Sequence, residues 1–176
     1  GVAKWTIRKH GDDLIFHPSA GWLVWDGTRF ARDSKDAHRV KMITSGAADE
    51  LFQSSKALQA AGRGREAGDI AKEAAKATRA RTLRDAVAQL GYAHGGGDYQ
   101  PGDMPELWVH PNDLDADARL FNVSNGTLKI SKDAAILEPH NRDDRITRIA
   151  PHEYDPQAEC PRWLEWLEEF QPDEET

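Results

Sequence analysis

Three alternating acidic residues, Asp113, Asp115 and Asp117, are the first candidates for chemistry, because carboxylates spaced in this way can bind calcium or magnesium. An EF-hand loop starting at Asp113 would place Ala118 where glycine is needed and Ser124 where a bidentate glutamate is needed. The acids also lie between a proline and a strand, where aspartate stabilises the start of a helical turn. We therefore predict capping and no metal site, with a metal-dependent nuclease or polymerase as the alternative.

Other common catalytic patterns are missing from the sequence. The glycine-rich stretches 62–65 and 95–97 lack the lysine and serine or threonine of a phosphate-binding loop. Seven scattered histidines lack zinc-site spacing, which leaves open only an assembly of distant residues. Cys160 follows an acid, which disfavours its thiolate, and there is no Gly-x-Ser-x-Gly motif. We predict no catalytic residue, metal or cofactor in this segment.

A basic segment, residues 62–84, is the candidate for nucleic-acid contact. It holds seven basic and three acidic residues in a chain whose net charge is -7. The overall acidity argues against strong autonomous binding, and predicted pairs such as Asp69 with Lys72 and Glu73 with Lys76 would neutralise part of the charge. A solvated helical face is the favoured interpretation. The alternative is phosphate contact by Arg63, Arg65, Lys72, Lys76, Arg79, Arg81 and Arg84.

Composition describes a soluble globular protein with one core. The chain has 176 residues, 39% of them hydrophobic and 30% charged, with a mean hydropathy of -0.72. No run is long enough to span a membrane, the N-terminus does not resemble a signal peptide, and a single cysteine favours a reducing compartment. The expected location is the cytoplasm. From residue 153 onward, nine acids stand against Arg162 alone.

Two groups of short strands are predicted. Residues 14–32 form an antiparallel meander whose Asp26-Gly27 turn places Trp25 opposite Thr28 and Leu23 opposite Phe30. Both faces of this sheet are partly apolar, so it should pack on another part of the protein.

Residues 120–130 form the second group, a hairpin with a type I′ turn at the Asn-Gly pair 125–126. This turn places Val123 opposite Leu128 on an apolar face and Asn122 opposite Lys129 on the other face.

Helices are predicted between and after the strands. Ser34 or Asp36 caps a helix that continues to about Ala61, and a second helical region, of one or two helices, runs from about Glu66 to Leu90. Its apolar stripe comprises Ile70, Ala74, Ala77, Leu83, Val87 and Leu90. A flexible loop covers about 92–105, a short strand covers 107–109, and Asn112 or Asp113 caps one helical turn.

Pro161 is well placed to begin a final helix, since proline suits the first helical position. An apolar stripe of this helix needs a surface to cover it; its members are Trp163, Trp166, Leu167 and Phe170. Packing back onto the same domain is the favoured interpretation, and contact with a partner is the alternative.

Several ordered pieces resemble the domain that precedes the superfamily 3 helicase in phage and plasmid primase-helicases, and the corresponding segment of poxvirus primase-helicases. The first pieces are 21–30 with Asp33, 114–117 and 120–128. The C-terminal pieces are Thr147, Pro151, 154–156, Ala158, Cys160, Pro161, Trp163 and Leu167. Departures at Phe30, Ala118 and 131–133 alter turn and core details.

The resemblance implies an α+β connector or collar domain over residues 1–160, followed by a terminal helix and acidic tail at 161–176. It implies a larger replication protein with adjoining helicase and primase domains, a hexameric assembly, and ATP and magnesium bound in the helicase domain. The parent would act on DNA, away from membranes, in the cytoplasm of a bacterial host of a phage or prophage. The alternative is a free-standing DNA-binding or regulatory protein.

Overall fold

A computed structural model of the protein describes residues 2–17, 19–77, 85–88, 90, 107 and 109–170. The helices are α1 (Val2–His10), α2 (His38–Ala60), α3 (Gly64–Ala77) and α4 (Pro161–Phe170), and residues 85–88 and 90 are also helical. The strands are β1 (Leu14–His17), β2 (Gly21–Trp25), β3 (Phe30–Arg32), β4 (Leu120–Val123), β5 (Gly126–Ile130) and β6 (Ala135–Glu138). The predicted α+β class is confirmed. The division into 1–160 and 161–176 stays a prediction, and the loop expected at 92–105 lies outside the described residues.

The strands form two separate three-stranded antiparallel sheets, in the orders β1-β2-β3 and β4-β5-β6. The predicted meander and hairpin are therefore both present, and β6 extends the hairpin into a sheet that the sequence analysis lacks. Residue 108, in the middle of the strand expected at 107–109, lies outside the described residues. Leu107 and Val109 nevertheless exchange backbone hydrogen bonds with Phe16 of β1, so this part of the chain runs beside the first sheet.

The predicted register of the first sheet is wrong by two residues. Trp25 pairs with Phe30, and Leu23 pairs with Arg32. The cause is a four-residue loop instead of a two-residue turn: the carboxylate of Asp26 accepts hydrogen bonds from the backbone N–H groups of Thr28 and Arg29, at 2.9 and 3.0 Å.

The predicted register of the β4–β5 hairpin is wrong by the same two residues. Asn122 pairs with Thr127 instead of Lys129, and Val123 pairs with Gly126 instead of Leu128. The turn residues are 124–125, and neither has the positive φ of a type I′ turn. Gly126 is instead a strand residue whose backbone lies close to that of Glu138. A Cβ atom at position 126 would clash with the backbone oxygen of Glu138. A shift of two residues leaves every side chain on its predicted face.

The first sheet packs on other parts of the protein, as predicted, and both of its faces are covered. On one face, Trp22 and Val24 pack with Ile7 of α1, Val40 of α2 and Leu90. On the other face, a smaller cluster comprises Ile15, Leu23, Phe30 and Val109, with Trp25 and Leu114 at its edge. The main core therefore lies between this sheet and the helices.

Helix α1 is absent from the sequence-based prediction, although it contributes Val2, Ala3, Thr6 and Ile7 to the buried part of the protein. In the predicted second helical region, Ala74, Val87 and Leu90 are buried and Ile70 packs against the core, which confirms that part of the stripe. Leu83 and the side chain of Ala77 lie outside the described residues.

The start of α2 is fixed by Asp33, which is only 8% exposed. Its carboxylate accepts hydrogen bonds from the backbone N–H groups of Arg39 and Val40, at 3.1 and 3.0 Å. The Ser34 hydroxyl accepts one from His38, so that half of the capping prediction is correct. Asp36 makes no capping bond in the described part of the chain, and the expectation that it could cap α2 is wrong. It lies in the turn before the helix, whereas the buried Asp33 reaches the helix from the end of β3.

A short helical turn at Pro111–Asp113 is capped by His110, two residues before the nearer of the two predicted caps. His110 Nδ1 accepts a hydrogen bond from the N–H of Asn112, and the Asp113 carboxylate accepts one from the N–H of His110, both at 3.3 Å. Asn112 and Asp113 are therefore inside the turn, although Asp113 does help to close it.

Helix α4 begins at Pro161 as predicted, but no residue of it is buried. The prediction that its apolar stripe packs back onto the same domain is therefore wrong for the part of the domain that the structure describes. Among the described helices, none is long and apolar enough to cross a membrane.

Replacement of Asp33 by alanine should lower the free energy of unfolding by about 2 kcal/mol, because two backbone N–H groups lose a buried acceptor. The matched control, Asp36→Ala, removes the same group from an exposed position and should change the stability by less than about 0.5 kcal/mol. Urea unfolding followed by tryptophan fluorescence measures both variants. Equal losses for the two variants would contradict the assignment of the cap.

Candidate functional site

The best-connected side chain of the second sheet is the amide of Asn122, which is 5% exposed. Its Nδ2 donates to the backbone oxygens of Thr28 and Arg148, at 3.0 and 3.1 Å. Its Oδ1 accepts from the Thr127 hydroxyl at 3.1 Å and from His140 Nδ1 at 2.8 Å, which places the ring proton on Nδ1. Every donor and acceptor position of this buried amide is used. Asn122 therefore joins the second sheet to the β2–β3 loop and to the chain that follows the sheet.

That following chain, residues 145–154, is named here the connecting segment. It begins between the two sheets, where the backbone oxygen of Ile146 accepts a hydrogen bond from the N–H of Phe30 at 2.8 Å. Thr147 lies beside the first sheet as well, because its backbone oxygen is 3.4 Å from a guanidinium nitrogen of Arg29. The segment thus closes the outer edge of β3.

The connecting segment then runs parallel to the end of β4. Ala150 forms an isolated parallel bridge with Val123, and its N–H donates to the backbone oxygen of Asn122 at 2.9 Å. The N–H of Ser124 donates to the oxygen of His152 at 2.9 Å. Asn125 completes the contact: its side chain donates to the oxygen of Tyr154 at 3.0 Å and accepts from the N–H of Tyr154 at 2.9 Å. The hairpin turn is therefore a binding site for this stretch of the protein's own backbone.

The acidic triplet has separate structural partners. Asp113 closes the turn described above and lies 3.6 Å from Arg145. Asp115, at a positive φ of 51°, accepts hydrogen bonds from both the backbone N–H and the hydroxyl of Thr147. Capping therefore describes Asp113 alone, whereas Asp115 secures the connecting segment. Within the described residues, no group of three acids, histidines or cysteines is arranged to hold a metal ion.

Asp117, the third acid, forms an ion pair with Arg119. The guanidinium donates to both carboxylate oxygens, at 2.9 and 2.8 Å, and the N–H of Arg119 donates a further bond at 3.0 Å. These hydrogen bonds lower the pKa of Asp117 from 3.8 to about 2. In contrast, partial burial raises the pKa of the nearby Asp144, an effect that the positive charge of Lys129 opposes.

The predicted nucleic-acid contacts are only partly described. Arg63, just before α3, forms an ion pair with Glu66, and Lys76 within α3 forms one with Glu73, so two of the candidate cations are paired. Arg65 and Lys72 are exposed. Arg79, Arg81 and Arg84 lie outside the described residues, and the contact with DNA stays a prediction.

Beyond the connecting segment, a second turn leads into α4. The Asp155 carboxylate accepts a hydrogen bond from the N–H of Gln157 at 2.8 Å, and its backbone oxygen accepts one from Ala158 at 3.2 Å. The backbone oxygen of Cys160 then accepts the first bonds of the helix, from Trp163 and Leu164. The helix therefore follows directly from a run of chain with defined turns.

The four predicted contact residues lie on one side of α4 at helical spacing. The rings of Trp163 and Trp166 are stacked with their centroids 4.9 Å apart, and Trp166 and Phe170 are 5.1 Å apart. The exposed fractions are 55% for Trp163, 45% for Trp166 and 61% for Phe170, and Leu167 is partly exposed. A row of exposed aromatic rings on one helix is typical of an interaction surface.

Comparison with known families gives one match. Residues 3–172 match the family described as D5 N terminal like. The chain belongs to this family. The family is the N-terminal domain of D5-like primase-helicases, which confirms the recognition of such a domain from the ordered motifs. No curated protein matches the chain.

Three of the motif residues that carry this D5-type resemblance bind backbone groups with their side chains. Asp115 holds Thr147, Asn122 holds the connecting segment, and Asn125 holds Tyr154. Sequence reasoning includes these residues in the resemblance but misses their partners. A signal was available for Asn122 alone, because an asparagine flanked by apolar strand residues must find hydrogen-bond partners when it is buried.

Replacement of Asn122 by aspartate should lower the free energy of unfolding by about 3 kcal/mol. The side chain keeps its shape, but it loses both N–H donors and places a carboxylate against the oxygens of Thr28 and Arg148. Asn112→Asp makes the same chemical change at an exposed position and should cost less than about 0.5 kcal/mol. Chemical unfolding of both variants at neutral pH tests this, and similar losses would show that the network carries little energy.

The low pKa of Asp117 should depend on Arg119. In Arg119→Gln the pKa should rise from about 2 but remain below 3.8, because the backbone N–H at position 119 still donates to the carboxylate. Since the folded-state pKa lies below 3.8, the pair stabilises the fold above that pH, and this contribution is lost as the pH falls towards 2. Carboxyl-carbon NMR titration gives the pKa, with Arg162→Gln on α4 as the control. An unchanged pKa in Arg119→Gln would disprove the cause.

Proposed function

We propose that this chain is a non-catalytic connector of a replicative DNA primase-helicase, which supports assembly and helps to guide DNA. The observation that carries the proposal is the exposed aromatic row of α4, at the end of a connecting segment fixed by hydrogen bonds to both sheets. A reactive centre would need side chains that are free to meet a substrate. Here the acids Asp115 and Asp117 are engaged by Thr147 and Arg119.

The aromatic row fits contact with an adjoining domain or subunit. Its residues recur at three, four and seven positions along the helix, the pattern by which an amphipathic helix fills a groove on another protein. The glutamates of α4, at positions 165, 168 and 169, lie away from this row on the helical wheel. In the family to which this chain belongs, the domain is part of a multidomain protein, which supplies such neighbours.

DNA guidance is supported by the exposed cations of the helical half, such as Arg65 and Lys72 on α3. Phosphate contact of this kind requires no base-specific groups and no catalysis from this domain. ATP hydrolysis would belong to the helicase domain of the parent protein.

The test is made in the full-length primase-helicase, with Trp163→Gln, Trp166→Gln and Phe170→Gln combined. We expect at least about a tenfold loss of hexamer at a fixed concentration, because each lost aromatic contact weakens association by about 1 to 2 kcal/mol. Sedimentation velocity measures assembly, and strand separation with ATP measures the consequence.

The matched control replaces the three glutamates at 165, 168 and 169 by glutamine, which alters the same helix but keeps its aromatic row. In the chain of residues 1–176, the aromatic variant should retain its stability, because no residue of α4 is buried. Assembly and unwinding equal to those of the unmodified protein would overturn the connector role of this surface.

A further inference from the structure

A second cationic surface lies at the corner where β3 leads into α2, and is named here the basic corner. It consists of Arg32, Lys35, His38, Arg39 and Lys41. The first three are exposed, and Arg39 and Lys41 are half-buried. None of the four lysines and arginines forms an ion pair with an acid of the described residues, in contrast to Lys76 of α3 and to Arg63, which precedes that helix.

The backbone holds these residues close together. The N–H of Ala37 donates to the oxygen of Ser34 at 2.9 Å, which closes a turn around Lys35, and the N–H of Lys41 donates to the oxygen of Ala37 in the first helical turn. His38 and Lys41 are three residues apart on α2, about 4.5 Å along its axis. Arg32 is three residues before Lys35, within about 11 Å along the chain. The separations are near the Debye length of about 8 to 10 Å, so the charges act as one patch.

Acidic residues in the same stretch compensate this charge only in part. Asp33 is buried and its carboxylate is used by the N–H groups of Arg39 and Val40. Asp36 is the exposed acid of residues 29–41, which hold five lysines and arginines against two acids. The guanidinium of Arg39 is held by the backbone oxygen of Trp25 at 3.3 Å, so its position is fixed by the first sheet.

The distribution of charge along the chain favours anion binding by the half of the sequence that contains the basic corner. Residues 1–90 hold 16 lysines and arginines against 11 acids, a net charge of +5, whereas residues 91–176 hold 7 against 19, a net charge of -12. A polyanion is therefore attracted to the first half and repelled by the second. Met42 is the exposed large apolar residue next to the corner, which is too little for the apolar centre of a protein interface.

We propose that the basic corner binds the phosphate backbone of DNA, independently of base sequence. This site rests on the DNA-guiding part of the proposed function, and it adds a contact separate from α3. Arg32, Lys35 and Lys41 supply the charge, and Arg39 anchors the corner to the sheet. Apart from the imidazole of His38, no aromatic side chain is exposed among residues 29–41 to stack on bases, so the contact is chiefly to phosphate.

The experiment measures binding of the chain of residues 1–176 to a fluorescein-labelled 20-base-pair duplex and a 20-nucleotide single strand, by anisotropy between 20 and 200 mM salt. The variant combines Arg32→Gln, Lys35→Gln and Lys41→Gln. We expect at least about tenfold weaker binding at 50 mM salt, and a slope of log affinity against log salt that is lower by about 2 to 3, because three phosphate contacts are lost.

Two control variants make the result specific. Arg32→Lys with Lys35→Arg and Lys41→Arg keeps every charge and should bind within about threefold of the unmodified chain. Arg65→Gln with Lys72→Gln removes exposed charge from α3 and should leave a salt slope larger than that of the corner variant. Unfolding by urea confirms that each variant is folded, and the substituted side chains make none of the described capping bonds.

Several outcomes would overturn the proposal. If the α3 variant loses DNA binding and the corner variant does not, the proposal that the basic corner binds DNA is wrong, while the proposal that this domain guides DNA stands. If the unmodified chain shows no salt-dependent binding to either DNA, both fail, and the assembly role of α4 is unaffected. If the corner variant changes self-association in sedimentation but not DNA binding, the cations serve contact between copies of the chain.

Discussion

The buried amide of Asn122 is the constraint on which the arrangement of the two sheets depends. It binds the β2–β3 loop through Thr28, the connecting segment through Arg148, and its own sheet through Thr127. Among the described strands, none of the first sheet pairs with one of the second. Apolar packing alone would leave their relative position free to slide, because it has no preferred direction. A buried amide with four partners permits one arrangement, since any other leaves polar groups without hydrogen bonds.

This arrangement determines the path of the chain towards α4. Once Asn122 and Ser124 hold the connecting segment parallel to β4, Tyr154 meets the side chain of Asn125, and the turn at Asp155 follows. Most of these contacts are made to backbone atoms of the connecting segment. They therefore fix the direction of that segment and depend little on its side chains. Gly126 also contributes to this arrangement. Its backbone lies close to Glu138 of β6, and a side chain at position 126 would push β6 away from the hairpin. These residues of the D5-type motifs thus determine the path of the chain between the second sheet and α4.

The sequence predicts element types better than it predicts connections. Faces of both hairpins are correct although both registers are wrong, because a shift of two residues preserves the alternation of side chains. The registers depend on Asp26, which binds its own loop, and on Asn125, which binds Tyr154 about thirty residues away. The contact of Asn125 is not visible in local turn propensity, and at Asp26 the local sequence allows both a two-residue turn and a loop closed by the carboxylate. The same limitation explains Asp33: it caps α2 through contacts that only the folded end of β3 makes possible.

The aromatic row of α4 and the basic corner can be distinguished by charge. Aromatic rings can stack on bases, but single-strand binding surfaces combine such rings with positive charge that follows the phosphates. From residue 153 onward the sequence carries nine acids and one arginine, so phosphates would be repelled from the row that offers the rings. The basic corner has the opposite combination, with cations and no exposed tryptophan, tyrosine or phenylalanine. Electrostatics therefore favours protein as the partner of α4 and nucleic acid as the partner of the corner, which allows one small domain to contact both without competition between them.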